Sequence, residues 1–209
     1  MNIIILGDKY QKRMKSRGCI GLIKHNNKNI LTHQYKTILS TFPSAQIIYV
    51  YGFDSKRFIT YFSKNSAHYP NLTLINNDKY ETYNNTYGLY LTKEYLNDDC
   101  IVMFGDNIIK RSLFDSFRPT SESQVFINRK VKTRLGCVIN NNKIENISYD
   151  LENYLSEIYY LSKDQIDIFR DLVTNPKNHN NFIFEIVNKM IDLLCILFIV
   201  YKKRFNGLV

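Results

Sequence analysis

Four short apolar runs recur along the first half of the chain, at residues 3–6, 46–51, 72–75 and 100–104, and each is followed at once by glycine or asparagine. They are too short for typical helices and have the length of buried strands. Between them lie stretches that predict helices. Residues 30–39 follow an asparagine-rich turn, residues 55–62 follow Asp54 as an N-cap, and residues 87–96 follow Asn84, Asn85 and Thr86. In the last of these Tyr87, Tyr90, Leu91 and Tyr95 recur at helical spacing, so one face packs on a sheet. Strand and helix alternating four times predict a doubly wound, mostly parallel α/β sheet with right-handed crossovers. A short helix is predicted at 111–117. After Pro119 the pattern shifts to short strands at 124–128, 135–140, 143–148 and 156–161, which predict a smaller antiparallel part. Ser162 is placed to cap a helix running to residue 173, and 181–194 predicts a final helix beyond Pro176.

Composition supports a single folded unit over 1–209. The 209 residues suffice for a substantial core, and hydrophobic residues at 44% with charged residues at 22% exclude a disordered chain. The asparagine patches at 26–29, 76–77, 84–85, 140–142 and 178–181 fall where turns are expected. A net charge of +9 favours anionic partners, with basic groups at 9–28, 129–134 and 202–204. Neither zinc-finger spacing nor an aromatic RNA-binding pattern is present, so no specific nucleic-acid partner is expected. The four cysteines, at 19, 100, 137 and 195, form no CxxC, and the histidines lack ligand spacing; buried thiols in a reducing, cytoplasmic compartment are the expectation. The chain opens directly into its first strand, which predicts no signal peptide. The longest apolar run, 193–201, has nine residues against about 17–25 for a membrane span, and predicts a helix end feeding a buried strand.

The strongest candidate for chemistry is Asp106, at the carboxyl end of the fourth apolar run. Ligands of open α/β sheets bind outside the carboxyl ends of the strands, so a carboxylate there is placed to hold a metal on a phosphorylated ligand. A turn-capping aspartate is the plainer alternative. Gly7 closes the first strand, and the following loop carries Lys9, Lys12, Arg13, Lys15, Arg17 and Lys24, where such a fold receives phosphates.

With these residues in view the chain resembles the nucleoside-triphosphate transferase family, within it the phosphocholine cytidylyltransferases and sugar-phosphate nucleotidylyltransferases. Residues 77–91, NDKYETYNNTYGLYL, are similar to the family's N-D-x-Y-x-x-x-N-N-x-Y-S-L-Y-L, with Gly88 in place of serine. Gly105-Asp106-Asn107 is similar to its metal-binding strand end, and residues 26–31, NNKNIL, to its N-G-K-P-L-L turn. Residues 158–162 before a helix follow its later half. The resemblance implies a Rossmann-like, nucleotide-diphospho-sugar transferase fold with a nucleotide-binding half at 1–118 and an acceptor-binding half at 119–209. It implies Mg2+-dependent joining of a nucleoside triphosphate, CTP favoured, to a phosphorylated small molecule such as phosphocholine or a sugar phosphate. Asp106 would hold the metal and Arg13 the pyrophosphate, both as catalytic residues. Gly7, Lys15, Lys24, Asn84, Asn85 and Gly105 would complete the nucleotide site. Tyr80, Tyr83 and Tyr87 would line the acceptor pocket, with Glu185 beside a quaternary ammonium. Taken singly, each tyrosine reads as core before it reads as a ligand group, and Glu185 as a solvated helix residue.

Three departures stand against the matches. Where the family has A-A-G-x-G-x-R, this chain has Lys9-Tyr10-Gln11 in place of G-x-G, and Arg13 alone survives. The family's Pro-Lys pair is replaced by Cys19-Ile20, and its second metal-binding aspartate has no counterpart near the C-terminus. These motivate two rival readings, an inactive nucleotidyltransferase-like binding module and a glycosyltransferase using a nucleotide sugar. A third rival is a protein of the membrane surface that uses residues 193–204.

Overall fold

A computed structural model describes residues 1–10, 12–114, 117–127, 133–194 and 199–201. In chain order the elements are β1 (Asn2–Leu6), β2 (Lys24–His25), β3 (Lys28–Asn29), α1 (Ile30–Thr41), β4 (Gln46–Tyr51), α2 (Ser55–Asn65), β5 (Leu72–Asn76), α3 (Asn85–Leu91) and β6 (Cys100–Phe104). They continue as β7 (Gln124–Ile127), β8 (Leu135–Asn140), β9 (Lys143–Tyr149), β10 (Leu155–Leu161), α4 (Ile166–Thr174), α5 (Ile183–Leu194) and β11 (Ile199–Tyr201). Cys195 and the basic group at 202–204 lie outside the described residues.

Among the described residues one sheet has the order β11-β7-β10-β6-β1-β4-β5. Strands β1, β4, β5 and β6 pair in parallel, so the chain winds outward from β1 in both directions. Strand β10 is antiparallel to both neighbours, β6 and β7. The α/β expectation therefore holds, and its antiparallel part consists of β10, inserted into the main sheet, and the separate β8–β9 hairpin. Both small hairpins turn on asparagine pairs with positive φ, Asn26-Asn27 at 47° and 62° and Asn141-Asn142 at 48° and 63°. That backbone is what a two-residue hairpin turn requires and what asparagine tolerates.

The sheet is covered on both faces because β1 is apolar at successive positions. Ile3 and Ile5 pack on Leu31, Tyr35 and Ile38 of α1 and Phe58 of α2. Ile4 and Leu6 point to the opposite layer, with Leu89 of α3, Phe169 and Val173 of α4, and Ile186, Val187 and Met190 of α5. Side chains alternate across a strand, so a strand buried on both faces must be apolar throughout.

Several local expectations give way to tertiary packing. Of the helix predicted at 111–117, the described residues form a 3-10 turn, Arg111–Leu113; 115 and 116 lie outside the described residues. Phe114 and Phe117 there turn inward, with Phe114 at 5.3 Å from Phe42 and Phe117 at 5.1 Å from Tyr160 between ring centroids. Asp54 occupies the N-cap position of α2 but makes no capping bond, because its backbone is left-handed at φ 56°. Ser162 likewise does not cap α4; its hydroxyl donates to the Ser121 carbonyl at 2.8 Å. The helix expected at 87–96 ends at Leu91 and continues as a 3-10 turn, Lys93–Tyr95.

Phe58 shows how α2 is held. It is fully buried, with its ring stacked at 5.1 Å on Tyr49 and 5.2 Å on Tyr51 of β4. Phe58→Ala is expected to cost about 3–5 kcal/mol in urea unfolding. Ile59→Ala, one residue on and 40% exposed, is expected to stay within about 0.5 kcal/mol. Equal effects would show that α2 does not dock through this ring.

Candidate active site

The two central strands, β1 and β6, run side by side and end together, and the chain then leaves the sheet in opposite directions. The pairing extends one residue past β6, since the Gly105 N–H donates to the Leu6 carbonyl at 2.8 Å. A Cβ on Gly105 would lie 2.7 Å from the Gly7 Cα and 2.8 Å from Ile20, and a Cβ on Gly7 would meet the Tyr49 hydroxyl at 2.0 Å. Both expected nucleotide-site glycines are therefore required by packing within the chain. Asp106 follows directly. Its loop is clamped by Gln34 of α1, fully buried, whose amide donates to the carbonyls of Phe104 at 3.0 Å and Asn107 at 2.9 Å. The Asn107 amide in turn donates to the Ser156 carbonyl on β10 at 3.1 Å.

Asp106 opens into a pocket of about 470 Å³ on the α3–α5 side of the sheet. Glu157 of β10, a residue no sequence motif marks, lines the same pocket beside it. Glu157 sits at φ 55°, where the register between β10 and β7 shifts, and this left-handed kink marks the irregularity. Burial, with the charge of Asp106 added, raises the Glu157 carboxyl to about 7. The remaining lining includes Arg134, Tyr149, Tyr159, Phe182, Phe184 and Asn85. One pocket thus joins two carboxylates, a guanidinium and a set of aromatic rings. Among the described residues no group of three or more His, Cys, Asp or Glu could hold a metal ion.

Of the residues expected at the site, Asp106 and Asn85 reach this pocket. Asn85 also ties α3 to α5, its carbonyl oxygen accepting from the Ile183 N–H at 3.0 Å. The Asn84 amide donates to the Asn180 carbonyl at 2.6 Å. Glu185 accepts from the Phe182 N–H at 2.6 Å and so caps α5. Tyr83 and Tyr87 stack at 4.7 Å and both rings pack on His179, at 5.7 and 5.1 Å. Tyr80 lies against Phe53 at 6.2 Å. Lys15 lies over the Tyr10 ring at 4.6 Å, and Lys24 lines a different groove, beside α2. Arg13 belongs to the 3-10 turn Lys12–Arg17; its side chain is outside the described residues.

The loop positions that depart from the family are occupied by internal contacts. The Lys9 ammonium donates to the carbonyls of Tyr80 and Tyr83, and burial lowers its pKa. Asp8 is fully buried; one carboxylate oxygen accepts from the Asn77 amide at 2.7 Å, and burial raises its pKa against that bond. A Cβ on Gly88 would press on Leu6 at 3.2 Å and be in ordinary contact with the Asp8 carboxylate at 3.7 Å.

The Glu157 shift has a definite sign. A free glutamate releases its proton near 4.5 and the native one near 7, so between those values the native state binds more protons and stability falls as pH rises. In metal-free buffer the Tm of Glu157→Gln should gain on wild type from pH 4.5 to 7.5, with the pH-dependent gain absent below that window. A difference independent of pH would contradict this environment for Glu157.

No family model matches the chain, and no curated protein matches it. Solved structures do. A CTP:phosphocholine cytidylyltransferase from Streptococcus pneumoniae matches with TM-score 0.70 and 19% identity over 99% of this chain and 90% of that one. An inositol-1-phosphate CTP transferase from T. maritima matches with TM-score 0.75 and 13% identity, over 95% and 84%. A UDP-glucose pyrophosphorylase complexed with UDP-glucose matches with TM-score 0.68 and 12% identity, over 99% and 91%. At these identities the likeness establishes the fold, and that fold is the one carried by the family whose motifs the chain resembles.

Proposed function

We propose that the chain is a magnesium-dependent nucleotidyltransferase that joins a nucleoside triphosphate, CTP favoured, to a small alcohol phosphate with a cationic head, phosphocholine being the type. The observation that carries this reading is the pocket shared by Asp106, Glu157, Arg134 and the rings of Tyr149, Phe182 and Phe184. Arg134 supplies a forked cation for the acceptor's phosphate. Glu157 and the aromatic faces suit a quaternary ammonium, which cation–π contact and an opposite charge both favour. A sugar phosphate would use Arg134 and leave Glu157 without a partner. The lining comes largely from residues 133–184, which supports assigning the acceptor to the second half and the nucleotide to 1–118.

In the reaction an oxygen of the acceptor phosphate attacks the α-phosphorus of the triphosphate, the bond to the β-phosphate oxygen breaks, and pyrophosphate leaves. No covalent protein intermediate is needed, and positioning with charge neutralisation carries such a transfer. Asp106 fits magnesium, which takes one or two carboxylates together with phosphate oxygens and water. When bound, it supplies neutralisation of the phosphate charge. Arg13 and Lys15 are assigned to the pyrophosphate.

A second reading is an inactive binding module. The observation that favours it is the first loop, where Tyr49 and Ile20 fill the space beside Gly7 and Gly105 and Lys9 is held by the Tyr80 and Tyr83 carbonyls. Pyrophosphate release from each nucleoside triphosphate, measured with phosphocholine and with glucose 1-phosphate, separates the two readings. The enzyme reading expects magnesium-dependent release that falls by about 10²–10³ in Asp106→Asn, on the scale of losing one transition-state donor. Glu157→Gln is expected to raise KM for phosphocholine about tenfold, with less effect for the sugar phosphate. Absence of release with every pair leaves the binding module.

A further inference from the structure

A second concavity, of about 590 Å³, lies between the β2–β3 hairpin and α2 and shares no residue with the acidic pocket. It is lined by Lys56, Arg57 and Lys64 of α2 and by Lys24 of the hairpin. Lys24, Lys56 and Lys64 are exposed, and among the described residues none forms an ion pair. The nearest acid is Asp54, 3.8 Å from Arg57. Helices α1 and α2 cover the face of the sheet opposite α3, α4 and α5. A ligand in this groove would therefore leave the acidic pocket open.

We propose that this groove binds the phosphodiester backbone of single-stranded nucleic acid without reading its bases. From Lys56 to Lys64 the helix rises about 12 Å at roughly 1.5 Å per residue. That span, with Lys24 across the groove, lets several successive phosphates of one strand be met at once. Four cations lining one open concavity give a linear polyanion a complementary surface. Base stacking has no platform in the lining, whose one ring is Tyr61. It is half-buried, packs on the core and has its hydroxyl 3.2 Å from that of Tyr69, so it offers no free stacking face. What remains is backbone contact, which positions a strand without specifying sequence. This places Lys24 in a polyanion groove and gives the +9 charge a local use.

The test is fluorescence anisotropy of a labelled 12-nucleotide oligo(U) titrated with the full chain at 50 and 200 mM salt. Four phosphate contacts predict a slope near −2.8 in log K against log salt, an affinity loss of about 50-fold between those concentrations. The triple variant Lys24→Ala, Lys56→Ala, Lys64→Ala should keep one contact and lose only about threefold over the same range, with weaker binding at 50 mM. A second triple variant, Lys143→Ala, Lys163→Ala, Lys177→Ala, removes the same charge from exposed sites elsewhere and should bind as wild type. Circular dichroism confirms that both variants fold. The proposal is overturned by no binding at 50 mM, by equal losses in the two variants, or by unchanged binding in the groove variant. Binding to phosphatidylserine vesicles with none to the oligonucleotide would also overturn it.

Discussion

The contact between Gly7 and Gly105 governs the rest of the structure. Two adjacent parallel strands end there within contact distance, with the Gly7 N–H bonded to the Val50 carbonyl at 2.9 Å and the Gly105 N–H to the Leu6 carbonyl at 2.8 Å. The chain then diverges, toward the basic loop on one side and toward Asp106 on the other, which is the arrangement that opens a crevice in a doubly wound sheet. The Tyr49 hydroxyl lies over Gly7 and Gly21 in the same place. A side chain at Gly105 would push the two strand ends apart and move Asp106 with them, and one at Gly7 would collide with the Tyr49 ring. The carboxylate is thus held by backbone packing and by the Gln34 clamp, on a rigid part of the fold.

The second half of the chain turns that strand end into a pocket. Strand β10 pairs antiparallel with β6, so its amino end lies beside the carboxyl end of β6, and the kink at Glu157 brings a second carboxylate next to Asp106. Burial and the neighbouring charge of Asp106 both disfavour the ionised form of Glu157. A cation entering between the two carboxylates relieves that cost, whether a metal ion or an ammonium head. Arg134 adds the opposite charge at the same rim. The pocket has the charge pattern of a zwitterionic ligand together with a divalent ion, and this pattern links the fold to the proposed chemistry.

The buried strands are legible in the sequence because a strand covered on both faces is apolar at every position and ends where glycine or asparagine begins. Residues 100–104 are found with their observed bounds for that reason. The asparagine pairs likewise announce the two hairpins. Less legible are positions where tertiary contacts decide. Tyr83 and Tyr87 have the composition of a ligand pocket but pack on each other and on His179. Glu185 has the chemistry of a ligand group but caps its own helix. Glu157 carried a signal that could have been used, a lone acid inside an apolar strand. Its left-handed backbone and its approach to Asp106 arise from the pairing of β10 with two neighbours, which no local pattern encodes. The groove beside α2 is similar: Lys56 and Lys64 share a helix face in the sequence, and Lys24 joins them only through the hairpin.

The central claim is the proposal that the crevice at the ends of β1 and β6 takes a nucleoside triphosphate although its first loop lacks the glycines of the family it resembles. Thermal unfolding with each of the four nucleoside triphosphates, with and without magnesium, tests this most directly, since a ligand bound to the native state stabilises it by mass action. At 100 times Kd the stabilisation is about 2.7 kcal/mol, or roughly 5–10 °C for a chain of this size. The account predicts such a shift with CTP above the other nucleotides, dependent on magnesium and lost in Asp106→Asn. No shift with any nucleotide, or a shift that survives both removal of magnesium and loss of the Asp106 carboxylate, would contradict it.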